Sequence, residues 1–310
     1  MRVLVTGGAG FIGSNIVEEL LKQGHEVRVL DNFSTGRRSN IADFLDDIDL
    51  IEGDLQSYER VHNAVRGVEV VLHQGALPSV PRSIQDPLTT NAVNITGTLN
   101  VLLASRDSGV RRVVYASSSS VYGESKTLPK REDMPLAPLA PYAVAKLSGE
   151  HYCQAFSRVY PIETVCLRYF NVFGLRQDPS SQYSAVIPSF IRSLLVEQRP
   201  TIYGDGEQAR DFTYVGNVVD ANIRAAMTDG ISGEVFNIAC GASLSLNQLV
   251  LELNEILGSK IKPIYEKERL GDIRRSMADV SKAKRLLGYS PGVDVAQGLA
   301  LTVEWFRDRG

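Results

Sequence analysis

The chain is poor in the residues that mark several common classes of protein. It has three cysteines, Cys153, Cys166 and Cys240, an odd number at spacings that fit no zinc pattern. Neither a disulfide scaffold nor a metal site is expected, and the thiols read as buried and free in a reducing compartment. Basic residues adjoin only in pairs, among them Arg37-Arg38 and Arg274-Arg275, and the formal net charge is −3. That excludes nucleic acid or an anionic membrane surface as the main partner. No apolar run approaches membrane-spanning length, and no basic segment with an apolar stretch precedes the first strand, so a cytoplasmic protein off the membrane is expected. With 310 residues of which 44% are hydrophobic, one or two domains with a large core are within reach.

What is present is an apolar run that breaks into glycines. Met1-Arg-Val-Leu-Val-Thr-Gly-Gly-Ala-Gly-Phe-Ile-Gly-Ser14 reads as strand, turn and helix. Gly7, Gly10 and Gly13 stand at G-x-x-G-x-x-G spacing, and Gly8, Gly10 and Gly13 also satisfy G-x-G-x-x-G. This is a dinucleotide fingerprint, in which absent side chains let the backbone approach a pyrophosphate. The charge then rests on the N-terminus of a helix from Phe11 to about Lys22, where unpaired N–H groups and the helix dipole favour an anion. An ordinary turn is the alternative. The β-branched strand before the glycines and the apolar Ile12, Ile16, Leu20 and Leu21 after them favour the nucleotide.

Glu26–Leu30 is a second strand that ends in Asp31-Asn32, roughly 20 residues beyond the glycines, where the fingerprint wants a carboxylate. There Asp31 can accept hydrogen bonds from ribose hydroxyls and repel a 2′-phosphate, which favours NAD over NADP; Arg37 and Arg38 keep NADP open. Further strands fall at Ile48–Glu52, Val68–His73 and Val110–Ala116, each followed by loop and helical pattern. The alternation predicts βαβ units in a doubly wound parallel α/β sheet, the Rossmann arrangement, covered on both faces. Residues 1–169 would bind the cofactor, and 170–310, a smaller α/β region, would mainly bind substrate, with interleaved segments allowed. A long helix over 87–109 is apolar on more than one side and would meet either the sheet or a second subunit.

The fifth strand runs into Ser117-Ser-Ser-Ser-Val-Tyr-Gly123, which places hydroxyls at a strand's carboxyl end, where ligands of open α/β sheets gather. Pro141 suits the first turn of a helix on which Tyr142 and Lys146 stand one above the other. A tyrosine, with a pKa of about 10, is a poor base at neutrality unless a cation stabilises its phenolate. Lys146 supplies one, together with the ring of an oxidised nicotinamide. Alone, Y-x-x-x-K would be a core tyrosine beside a solvated lysine; the glycine loop and the serine run make it the chemical centre.

Over essentially its whole length the chain resembles the extended short-chain dehydrogenase/reductase family and, within it, the nucleotide-sugar 4-epimerases. The segments that carry the likeness are Thr6–Gly13, Asp31-Asn32, Gly53-Asp54, His73–Ala76, the Ser-Ser-Val-Tyr-Gly run ending at Gly123, Tyr142-x-x-x-Lys146 and Leu167–Gly174. The resemblance implies that Tyr142 takes the proton of the sugar 4-hydroxyl while hydride leaves C4 for NAD⁺, that the 4-keto sugar turns over, and that hydride returns to its other face. It implies Ser118 as the partner of the 4-oxygen, with Ser117 and Ser119 as runners-up. It gives the cofactor Gly7, Gly10, Phe11, Ile12, Gly13, Asp31, Asn32, Asp54, Leu55, Gln74, Ala76, Asn94, Tyr142, Lys146 and Tyr169. Relatives that dehydrate carry Asp-Glu before Val-Tyr-Gly; this chain has Ser119-Ser120, so the agents of the extra proton transfers are missing and simple epimerisation is expected.

For the UDP-sugar the resemblance implies Asn171, Arg210 and Arg269 at the diphosphate, Tyr203 stacked on uracil, Ala185 and Val186 at its edge, and Asp272 on the ribose. Arginine suits phosphate because its planar fork meets two oxygens at once. Ser79 would touch the hexose. Ser276 stands where relatives restricted to UDP-glucose carry tyrosine and those accepting N-acetylated sugars carry a small residue. UDP-N-acetylglucosamine is therefore the expected substrate, with UDP-glucose the nearest rival, UDP-glucuronate a weaker one, and a non-catalytic nucleotide sensor the reading from another class. A homodimer through helices near 87–109 and 141–160 is implied as well. Trp305 reads as packing on an apolar terminal helix.

Overall fold

A computed structural model describes residues 1–178, 185–268 and 274–309. In chain order its main strands are β1 (Arg2–Thr6), β2 (Glu26–Asp31), β3 (Ile48–Glu52), β4 (Val70–His73), β5 (Arg112–Ser118) and β6 (Glu163–Tyr169), joined by a seventh at Val235–Ile238. Side by side they run seventh, β6, β5, β4, β1, β2, β3, every pair parallel. The order reverses between β1 and β4, and in such sheets the crevice beyond the strand ends at the reversal is where ligands bind.

The strands read as unbroken apolar runs because both faces are covered. Val3 and Val5 point into one core layer with Ile16 and Leu20 of α1 (Phe11–Lys22). Leu4, between them, points into the other, with Val61 and Val65 of α2 (Tyr58–Val65). Buried residues from the second half of the chain, among them Val218 and Phe236, belong to the first of these layers.

The expected long helix is a chain of pieces. After α3 (Val80–Gln85) come α4 (Pro87–Asn91), a π turn at Ala92–Thr96, and α5 (Gly97–Asp107). The π turn carries Asn94, whose amide bonds the backbone of Leu77 at both ends, 2.7 and 3.0 Å. Such turns recur at functional sites. Two strands start later than the apolar pattern suggests, at Val70 and Arg112, because the backbone N–H groups of Val68 and Val110 close the preceding helices on Val65 and Ser105. The next helices are α6 (Pro141–Val159), α7 (Val186–Leu195) and α8 (Val215–Met227). No described helix is long and apolar enough to cross a membrane.

Candidate active site

The loop between β1 and α1 has room only for glycine at two points. A β-carbon on Gly13 would lie 2.1 Å from the carbonyl oxygen of Gly7, and one on Gly7, whose φ is +68°, would lie 2.8 Å from Gly75. The bare backbone and the first N–H groups of α1 form one wall of a cleft of about 250 Å³ at the β1/β4 reversal. Gly7, Gly10, Phe11, Ile12, Gly13, Asp31, Asn32, Asp54, Leu55, Gln74, Ala76, Tyr142, Lys146 and Tyr169 all line it. A wall that side chains would fill, ending on the dipole of a helix, suits the diphosphate of a dinucleotide.

Asp31 closes β2 at the adenosine end. It is 7% exposed, and its carboxylate accepts the N–H groups of Ala9 at 2.9 Å and Phe33 at 2.8 Å. Burial pushes its pKa up while these backbone donors pull it back. The two arginines that left NADP open are both held by carboxylates: Arg37 on Asp178 at 2.5 Å, Arg38 on both oxygens of Glu52 at 2.6 and 2.7 Å. The site therefore presents a negative group to the ribose, which suits NAD. Asp31→Ala is expected to weaken NAD about tenfold or more and to narrow the preference over NADP, as loss of hydrogen bonds to a charged acceptor dictates. Titration calorimetry with both cofactors checks this, and an unmodified protein that binds NADP as tightly as NAD would shift the determinant to Arg37 or Arg38.

Beneath the opposite end, Lys146 is 4% exposed and its ammonium donates to the carbonyl of Ala116 at 2.7 Å. Burial pulls its pKa down to about 8, against the opposing charge of Glu150. Its nitrogen lies 5.9 Å from the centre of the Tyr142 ring. Burial raises the pKa of Tyr142, and Ser118 lowers it again. From the sequence the lysine is expected to favour the phenolate together with the ring of an oxidised nicotinamide; Ser118 is a further contributor.

The three serines differ in their partners. Ser117, buried, donates to Glu150, which is in turn held by Arg168 through two hydrogen bonds of 2.9 and 2.7 Å. Ser118, the last residue of β5, takes no such carboxylate partner, and it lowers the pKa of Tyr142. Glu150 follows Lys146 by one turn of α6, so a buried carboxylate underlies the buried ammonium. The ion pair that Glu150 makes, with Arg168 of β6 at 2.7 Å, was not visible from spacing.

A second polar group sits where Gln74 and Tyr169 enter the cleft. Tyr169 Oη donates toward Gln74 Oε1 and Asn222 Oδ1, 3.1 Å each, and Gln74 Nε2 donates to the same Asn222 oxygen at 3.0 Å. Asn222, on α8, is a residue the sequence reading missed. Next to them His73 bridges Thr6 at 2.7 Å and Thr98 at 3.0 Å, and burial, with Lys146 adding to it, pulls its pKa down to about 3, which keeps it neutral. Two of the expected site residues also hold the loop at the mouth of the cleft in place. Asn94 bonds the backbone of Leu77 with both ends of its amide, which holds the loop at the cleft's mouth. Ser79, expected at the hexose, caps α3 by accepting the N–H of Arg82 at 3.3 Å, from a backbone with φ of 95°. Accepting that N–H leaves the hydroxyl hydrogen of Ser79 available to donate.

A second cavity gathers Asn171, Ala185, Val186, Tyr203 and Arg210, five residues drawn from four separate segments. Asn171 donates to the carbonyl of Asp211 at 3.2 Å, which ties it to the short strand Ala209–Arg210. Ser276 joins that strand too, its N–H donating to the carbonyl of Ala209 at 3.0 Å. Arg269 and Asp272 lie outside the described residues.

Known proteins share both the architecture and these segments. Residues 3–239 match the NAD dependent epimerase/dehydratase family. A putative UDP-glucose 4-epimerase of Methanocaldococcus jannaschii is 40% identical over 99% of this chain and 98% of its own length. The solved UDP-N-acetylglucosamine 4-epimerase of Methanobrevibacter ruminantium, in complex with UDP-N-acetylmuramic acid, superposes with a TM-score of 0.95 at 40% identity, covering 100% of this chain and 99% of that one. The UDP-glucose 4-epimerase of Thermotoga maritima, solved with UDP-glucose, gives the same TM-score at 39% identity and the same coverage. The dinucleotide-shaped cleft, the tyrosine and lysine at its floor and a likeness that runs from end to end lead to one assignment: the chain belongs to the NAD dependent epimerase/dehydratase family, on its nucleotide-sugar 4-epimerase branch.

Proposed function

We propose that this NAD-dependent UDP-sugar 4-epimerase acts on UDP-N-acetylglucosamine, converting it reversibly to the 4-epimer. The observation that carries the reading is Ser276, a small, half-buried side chain on the segment bound to Ala209 beside the second cavity. UDP-glucose is the rival substrate, named in two of the three relatives above. Incubation with each UDP-sugar, with the 4-epimer quantified and kcat/KM compared, tests the reading; conversion of UDP-glucose alone would overturn it.

Bound NAD supplies a hydride acceptor and donor for C4. The chain's own residues handle the proton and the geometry. Tyr142 Oη takes the proton of the 4-hydroxyl and later returns it, and Ser118 bonds the same sugar oxygen. Lys146, charged below about pH 8, favours the phenolate from beneath. Asn171 and Arg210 hold the diphosphate, with Arg269 from the resemblance, while Tyr203, Ala185 and Val186 receive the base and Asp272 its ribose. Holding the nucleotide in a cavity apart from the reacting carbon leaves the 4-keto sugar free to turn while its diphosphate stays fixed.

The same chain is proposed to dimerise. Leu88 on α4 is 83% exposed, Ile84 on α3 and Leu139 just before α6 are 63% exposed, and Val144 on α6 is also exposed. Contiguous apolar exposure of this kind marks an interface. Leu88→Asp combined with Val144→Asp is expected to give a single protomer by sedimentation; an unchanged assembly would remove this face from consideration.

A further inference from the structure

The family resemblance assigns no role to Ser120, which stands where dehydrating relatives carry a carboxylate. Its geometry is specific. Ser118 caps the short helical turn Ser119–Tyr122, and its Oγ accepts the backbone N–H of Ser120 at 3.2 Å. The Ser120 hydroxyl lies 3.0 Å from the same oxygen and donates to it. A serine hydroxyl has two lone pairs and one hydrogen. With both lone pairs occupied by one neighbour, Ser118 keeps only its hydrogen to offer, and its effect on Tyr142, whose pKa it lowers against burial, is that of a donor.

We propose that Ser120 is a positioning residue for the epimerase reaction, fixing Ser118 as a hydrogen-bond donor toward Tyr142 and the sugar 4-oxygen. This rests on the roles proposed above for Ser118 and Tyr142. Ser120 forms and breaks no covalent bond: the proton passes between the 4-oxygen and Tyr142 Oη, the hydride between C4 and NAD, and both serines keep their hydrogens. The polarity is what the reaction needs in each direction. A donor strengthens its bond as negative charge gathers on Tyr142 or on the oxygen of the 4-keto sugar, whereas a serine free to turn would spend part of its time as an acceptor facing them. The position that carries an acid in dehydrating relatives is here given to orienting the serine.

The test uses the NAD-loaded enzyme and whichever UDP-sugar it turns over faster. Ser120→Ala keeps the N–H and removes the hydroxyl; it is expected to lower kcat roughly threefold to tenfold, the worth of one hydrogen bond, with KM and NAD affinity unchanged. Ser120→Thr should restore turnover. Because the effect runs through Ser118, Ser120→Ala should cost nothing further in a Ser118→Ala background. Should alanine disturb folding, Ser120→Cys, which keeps the volume with a weak donor, is read the same way. Full turnover in Ser120→Ala, or an undiminished loss in the Ser118→Ala background, overturns the inference while leaving the roles of Ser118 and Tyr142 intact. Full turnover in Ser118→Ala itself removes those roles, and the inference with them.

Discussion

Replacing Tyr142 by phenylalanine is expected to lower kcat by roughly 10²-fold or more while the protein folds and binds NAD as before. The ring stays, so the packing of α6 against the cleft is kept; what goes is the phenol oxygen, whose pKa Ser118 lowers. No neighbour is placed to take over. His73 is committed to Thr6 and Thr98 and held neutral with a pKa of about 3, and Lys146 donates to Ala116. Glu150 is enclosed by Ser117 and Arg168. The removed group is therefore the acid and base of the transferred proton, and its loss appears in kcat rather than in substrate affinity. Near-normal turnover in this variant would take Tyr142 out of the mechanism.

Ser276→Tyr is expected to separate the two candidate substrates. The Ser276 backbone is fixed by its bond to Ala209, and the neighbouring Arg275 pairs with the same residue, so a larger side chain here cannot be relieved by a simple shift of the strand. An acetamido group sweeps more volume than a hydroxyl as the 4-keto sugar turns. A tyrosine in that path costs about 1–3 kcal/mol of overpacking, roughly a tenfold to hundredfold loss in rate. The variant should lose UDP-N-acetylglucosamine to that extent and keep UDP-glucose. Measuring kcat/KM for both sugars in both proteins decides the matter; an unchanged ratio between the sugars would sink the assignment of Ser276.

The features readable in the sequence were those that are local. Glycine spacing, a β-branched run and a tyrosine one helical turn from a lysine each depend on residues within a few positions of one another, and the cleft assembled from them holds fourteen of the fifteen residues expected there, Asn94 being the one placed otherwise. The limits of β5 were set elsewhere, by its register on β6, which pairs Ser117 with Arg168 and Ser118 with Tyr169. The same holds for the choice of serine. Ser117 is withdrawn by Glu150, a carboxylate 33 positions away, and nothing in Ser117–Ser120 announces it. Asn222 is a similar case: an asparagine in the middle of α8 has no signature until the fold sets it against Gln74 and Tyr169.

The seventh strand has a consequence for how the molecule is made. In the finished sheet β6 is interior, paired with β5 on one side and with Val235–Ile238 on the other. A chain emerging from the ribosome at about 5–20 residues per second delivers that last strand several seconds after Tyr169, since about seventy residues separate them. Until then the newborn sheet ends in an apolar edge whose carbonyl and N–H groups are open to any other strand. The vulnerable interval of this protein thus falls during translation, between completion of the cofactor cleft's floor and arrival of residue 238, and the sequence synthesised in that window determines how long the edge stays bare.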